Sequence, residues 1–333
     1  MKFGIFLYLT IIFFFVGCST EDSFLEPKDD IIGDNENYFY DNIVQNKWTY
    51  KQMLYHYYWY KDMPDSIQLD YTQDPFTFFS SLLSPKDRFS WTELNRNYKE
   101  TSASTRSSFT QCTDSIYYID NKRIGYVIYN SFEDSPEVRS IFNRLKSRQA
   151  NELILDLRSN GGGLVSTCNL IASYIAPIEA LGKPFQIQRH NDKICSEKLR
   201  KDNPEGLDTV YLQNTYWYIE RTLNLKRLFV LISEKTASAS EALVYGLRPY
   251  MEVITIGQQS VGKNVGSYTI SDNNYKYQIQ PITFRYYNAS MDSVPDNGII
   301  PDIQVESNSS ISKGDINEPF LKAALQYIES KNN

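Results

Sequence analysis

Histidine is nearly absent from this chain: 333 residues contain two, His56 and His190, and neither has a companion serine or acidic motif in its segment. Histidine is the usual proton acceptor for a nucleophilic serine, so serine chemistry here would need another base. Cysteine is scarce too. Beyond Cys18 there are Cys112, Cys168 and Cys195, whose spacings fit no zinc pattern and whose odd number prevents complete internal pairing. No metal is expected. Basic residues are not in excess, 34 against 40 acidic ones for a net charge of −6, and none cluster, which argues against a nucleic-acid partner. No internal repeat is evident. Tyrosine, by contrast, is abundant at 26 residues, and runs such as Tyr55, Tyr57, Tyr58, Trp59 and Tyr60 suit a packed core.

The N-terminus reads as a targeting segment. Lys2 supplies the positive charge, and Ile5 to Val16 is an apolar run too short for a membrane span. Val16-Gly17-Cys18 resembles a bacterial lipoprotein cleavage box, so residues 1–17 are expected to be a signal peptide and Cys18 the lipidated mature end. Residues 18–37 are polar and read as a tether. Ser19 after the cysteine resembles outer-membrane sorting patterns, and Glu21-Asp22 resembles a surface-export signal. The expected location is therefore the cell envelope, with the membrane reached through lipid.

Residues 38–91 carry helical spacing, with Trp48, Met53, Leu54, Tyr57 and Tyr58 recurring near the helix period and a second helix from Asp74 to Leu83. Residues 92–115 are polar and serine-rich, and read as a linker without a core. From 116 to 333 strands and helices alternate. Val138, Ile141, Phe142 and Leu145 mark one helix, while Leu153–Leu157, Lys226–Ser233 and Met251–Ile256 read as buried strands. The pattern predicts an α/β core behind a small helical unit.

Three motifs could carry chemistry. Asp156-Leu157-Arg158-Ser159-Asn160-Gly161-Gly162-Gly163 follows a strand and precedes a helix, so its amides could stabilise a developing oxyanion; a tight turn is the plainer reading. Ser238 opens a helix just after a strand, with the Ala239 amide beside it, which is the logic of a nucleophile elbow. Ser238 to Glu241 also spells a capping box, and judged alone the cap would be favoured. Lys263 lies 25 positions after Ser238, long enough for the chain to cross a helix and return on a neighbouring strand. Apolar neighbours would lower its pKa toward that of a useful base. Gly257 to Asn264 also nearly spells a P-loop, but Asn264 replaces the magnesium-binding hydroxyl and extended chain follows, so no nucleotide is expected.

Together with Gly298-Ile299-Ile300-Pro301-Asp302, these motifs resemble, in order and spacing, those of the C-terminal processing (tail-specific) serine peptidases. Tyr57-Tyr58-Trp59 and Asp87-Arg88-Phe89-Ser90-Trp91 resemble the helical leader of Bacteroidetes members. The resemblance implies a ClpP/crotonase-like catalytic core and a cofactor-free Ser–Lys endopeptidase acting on proteins or peptides. Ser238 would be the nucleophile and Lys263 the general base, with an oxyanion hole from Gly162, Gly163 and Ala239 and a supporting Glu241. Two departures stand out. Ser267 occupies the place of an orienting glutamine, and residues 92–115 are too few for the family's PDZ module, since a domain needs about 50 residues. A low-turnover or inactive peptide- or ligand-binding protein on the same fold is the alternative.

Overall fold

The computed structural model describes residues 34–95, 112–133, 136–201, 203, 205–308 and 310–330. The expected signal at 1–17, Cys18, most of the tether and the middle of the linker lie outside the described residues. Helix α1 (Asp34–His56) begins inside the stretch expected as tether, and α2 (Pro75–Ser81) is capped by the Asp74 carboxylate, which accepts the Thr77 amide at 3.0 Å. The expected linker is also shorter than its composition suggested. Its ends are strands, β1 (Trp91–Leu94) and β2 (Cys112–Ile119), because paired edge strands tolerate polar residues on their open face.

The chain then runs β3 (Lys122–Tyr129), α3 (Pro136–Ser147), β4 (Glu152–Asp156), α4 (Val165–Ile175), β5 (Pro184–His190), α5 (Asp192–Arg200), β6 (Asp208–Tyr211) and α6 (Tyr216–Arg221). It continues as β7 (Arg227–Ile232), α7 (Ala239–Leu247), β8 (Glu252–Gly257), β9 (Val265–Ser267), β10 (Tyr277–Gln280), β11 (Ile282–Tyr287), β12 (Ile303–Gln304) and α8 (Pro319–Ser330).

The central sheet has the order β12-β8-β7-β4-β3-β2, parallel except for the β2–β3 hairpin. Alternation along β7 explains its two faces. Leu228, Val230 and Ile232 join the core under α3, α4 and α7, whereas Phe229 and Leu231 meet Phe320, Leu321 and Ala324 of α8. A second, antiparallel sheet of order β6-β5-β11-β9 stands beside it.

The N-terminal helical unit has its own core, which extends into the rest of the molecule. Trp48, Met53, Tyr57, Phe78, Phe79 and Leu82 pack with Val265, Ile279 and Ile282 on β9, β10 and β11. Strand β1 pairs with β10, tying the unit down in the same place. The unit is thus seated on the strands that leave Lys263. Cys112, Cys168 and Cys195 are all free thiols. Among the described residues no helix is long and apolar enough to cross a membrane.

Candidate active site

Strands β4, β7 and β8 are parallel neighbours, so their carboxyl ends share one edge of the sheet. The glycine turn leaves β4, the Ser238 turn leaves β7 and the Lys263 loop leaves β8. Ligands of open α/β sheets bind outside such strand ends. Distant sequence motifs therefore meet because the hydrophobic strands that precede them pair in parallel.

Ser238 has φ 58° and ψ −117°, a backbone conformation that L residues rarely adopt and that costs about 1–3 kcal/mol. It is held there from several sides. The Ser238 amide donates to Glu241 Oε2 at 2.9 Å, and the Ala237 amide donates to the Asn160 carbonyl at 3.2 Å. Asn160 is fully buried; its carbonyl also accepts the Ser240 hydroxyl at 2.9 Å, and its side-chain amide donates to the Tyr129 carbonyl at 3.0 Å. It was not singled out in the sequence, where it looked like one more turn residue.

Gly162 and Gly163 have φ of 112° and 139°. A Cβ on Gly162 would lie 2.7 Å from Ser238 Cβ, and one on Gly163 would lie 2.5 Å from the Phe132 carbonyl oxygen. Gly162 is thus a space requirement of the site. Its amide is spent on Asn160 Oδ1 at 2.9 Å, which removes it from the expected oxyanion donors. Among the described residues the Gly163 and Ala239 amides donate to no other group. Gly162→Ala is expected to lower the melting temperature while secondary structure persists, which circular dichroism would check.

Glu241 is the hub. It is fully buried in α7, and Oε2 accepts from the Ser238 and Lys263 amides, each at 2.9 Å. Oε1 accepts from the Gly262 amide at 2.7 Å and from the Ser260 hydroxyl. One carboxylate oxygen thus ties the expected nucleophile and the expected base together. The same bonds commit the Gly262 and Lys263 amides to a carboxylate, and strand β9, not a helix, follows the loop. The loop is braced from outside by Ser260, whose hydroxyl accepts the Ile299 amide at 2.7 Å, within the Gly298–Asp302 motif.

Tyr286 on β11 is a further element that the sequence did not mark. Its buried hydroxyl donates to the Lys263 carbonyl at 2.7 Å and lies 3.2 Å from the Ser238 carbonyl. Burial holds the phenol well above the ordinary tyrosine range, so it stays a neutral donor.

Burial lowers the Lys263 pKa, with Asp87 and Glu241 pulling the other way. The ammonium nitrogen sits 5.2 Å from the centre of the Phe89 ring and has no ion pair among the described residues. No hydrogen bond joins it to the Ser238 hydroxyl. Ser267 makes no hydrogen bond to it; the Ser267 hydroxyl accepts from Gln280 Nε2 at 2.9 Å. Histidine offers no substitute, since His190 commits Nδ1 to the Thr283 carbonyl at 3.1 Å and Nε2 to Asp208 at 2.9 Å. Asp208 is a companion acid brought in from another strand.

Residues 123–305 match the model of peptidase family S41, and residues 44–91 match the S41 N-terminal domain. A tail-specific protease of Haemophilus influenzae is 26% identical over 203 residues, covering 59% of this chain and 24% of that protein. A carboxyl-terminal-processing protease of Picosynechococcus is 24% identical over 148 residues, covering 44% of this chain and 30% of that one. The chain therefore spans less than a third of either relative. A solved Bacteroides fragilis structure assigned to the S41 proteases superposes with a TM-score of 0.71 at 19% identity, covering 93% of this chain and 100% of that one, which establishes the fold. With its catalytic-domain match extending over more than half of its length, the chain belongs to peptidase family S41.

Proposed function

We propose that the protein is a serine endopeptidase that hydrolyses protein substrates through Ser238 and Lys263. The observation that carries this reading is the double grip of Glu241 Oε2 on the amides of both residues. In the proposed reaction neutral Lys263 takes the Ser238 proton as Oγ attacks the peptide carbonyl. The Gly163 and Ala239 amides stabilise the resulting oxyanion. Lys263 then returns the proton to the departing amine, leaving an acyl-serine that water hydrolyses. Catalytic hydrogen bonds commonly tighten when substrate binds, so an open Ser238–Lys263 pair is compatible with this chemistry.

Because the base must be neutral, kcat/KM is expected to rise with pH through the Lys263 pKa. Burial brings that limb below the usual lysine range. Hydrolysis of an unfolded protein by the wild type, but not by Ser238→Ala or Lys263→Ala, is the test; cleavage that survives either change would contradict it. The bond from Gln280 to Ser267 favours one second reading, peptide binding without turnover, because the Ser267 hydroxyl is engaged there and no hydrogen bond from it holds Lys263 in line. Retained peptide affinity with no cleavage would select it.

The cell-envelope location belongs to the same proposal and rests on the Val16-Gly17-Cys18 pattern. Cys18→Ala is expected to move the full-length protein from the membrane to the soluble fraction. Dual acylation gives stable anchoring where one chain does not, so an unchanged membrane fraction would contradict lipidation.

A further inference from the structure

The turn after α2 reaches across the molecule to the Lys263 loop. Asp87 Oδ1 accepts the Phe89 and Ser90 amides at 2.8 and 2.9 Å, fixing the turn. Asp87 Oδ2 accepts the hydroxyl of Tyr57 at 2.8 Å, and that fully buried hydroxyl also accepts the Ser84 amide at 3.0 Å. Arg88 Nη2 then donates to the Gly262 carbonyl at 3.0 Å and the Asp296 carbonyl at 2.9 Å. The Ser90 hydroxyl accepts the Ile282 amide at 2.8 Å, on the strand against which the helical unit packs. The outcome is that the Phe89 ring lies 5.2 Å from Lys263 Nζ.

We infer that Asp87 and Phe89 are positioning residues for Lys263, so that the N-terminal unit completes the active site. The inference rests on the peptidase reading and adds to it a role for a unit outside the catalytic domain. Arg88 anchors the turn through the carbonyl of the residue before Lys263. Phe89 walls off the amine from water, while Asp87 places a negative charge near it.

The two residues act in opposite directions. Burial is the largest influence on Lys263 and disfavours its charge; Asp87 is the leading influence that favours it, ahead of Glu241. Removing Phe89 lets water reach the ammonium, so the folded pKa should rise toward the free-lysine value. Loss of the ring's attraction for the cation works against this, but burial is the largest influence on Lys263 and sets the direction. The ring is shared, besides, with Arg88 at 4.7 Å. Removing the Asp87 charge withdraws support from the ammonium, so the pKa should fall further. The other groups around Lys263 are Glu241 on α7, Tyr286 on β11, Arg88, and Asp296 with its partner Arg285. None of these changes in either variant.

The test uses Asp87→Asn, which retains the oxygen that accepts the turn amides, and Phe89→Ala, with Phe89→Leu as a smaller perturbation. The Lys263 side chain is titrated by NMR through its ε-carbon resonance, assigned with Lys263→Arg, and the acidic limb of kcat/KM is followed in parallel. Phe89→Ala should move the titration up and Asp87→Asn should move it down, each by roughly one pH unit. Phe89→Leu should fall between Phe89→Ala and the wild type. KM should change less than kcat, because the unit acts on the base and not on substrate binding. A purely structural role would lower the melting temperature without opposite shifts. Titrations coincident with the wild type, or moved in one direction by both variants, would overturn the inference. Absence of Ser238-dependent cleavage would sink the peptidase reading alone, since the NMR titration still reads the Lys263 environment.

Discussion

Ser238→Ala is expected to lower kcat on an unfolded protein by about ten-thousand-fold, and Lys263→Ala by a similar factor. The double variant should be little worse than either alone, because nucleophile and base act as one unit. Ser238 is held at positive φ by Glu241 and the Asn160-braced turn, and Lys263 is presented by a loop bound to the same carboxylate. Alanine at 238 leaves that scaffold in place, so the loss should appear without a fall in stability. Lys263→Met should go further and raise stability near neutral pH. A lysine whose folded pKa is depressed costs stability below that pKa, and the cost vanishes as pH rises to the unfolded value. Thermal melts at pH 6 and pH 10 would check the sign: the advantage of Lys263→Met should shrink at the higher pH.

Glu241→Ala should have the second largest effect, and on stability as well as rate. The buried carboxylate accepts the amides of Ser238, Gly262 and Lys263 and the hydroxyl of Ser260. Four donors would lose their acceptor at once. Each unsatisfied buried donor costs about 1–3 kcal/mol, partly offset because a buried charge also disappears. A net loss of roughly 3–5 kcal/mol follows, measurable by urea unfolding. Glu241→Gln keeps one acceptor oxygen and should lose less stability while still misplacing Lys263. Equal stability of Glu241→Ala and the wild type would mean that the hub does not hold the loops.

The parallel core was legible because β4, β7 and β8 are short apolar runs, each leading into a glycine- or serine-marked turn. Position then followed from pairing: three turns that are far apart in sequence share one sheet edge. The second sheet was harder to read. Strand β5 contains the polar residues Gln186, Gln188 and His190. They are buried because Tyr268 donates to Gln188 at 2.8 Å, Gln188 to Gln186 at 2.9 Å, and His190 bridges Thr283 and Asp208. Polar residues that satisfy one another across strands leave no hydrophobic period.

The site divides in the same way. Ser238, Lys263, Glu241 and the glycines carried local signals, a cap-like turn or a loop after a strand. Asn160, Tyr286, Asp87 and Phe89 act over long sequence separations, and nothing in their neighbourhoods announced a partner. Gly162 was read as an amide donor because a glycine turn advertises its amides, but Asn160 Oδ1 claims that one. Ser267 was placed beside Lys263 by the family resemblance; as part of β9 its hydroxyl bonds Gln280 instead.

The most direct test of the central claim is intact-mass and peptide-mapping spectrometry of the protein quenched during turnover of an activated ester. An acyl adduct on the peptide that contains Ser238, absent from Ser238→Ala and much slower to form in Lys263→Ala, is the predicted result. An adduct at another residue, or undiminished labelling and turnover in Ser238→Ala, would contradict it.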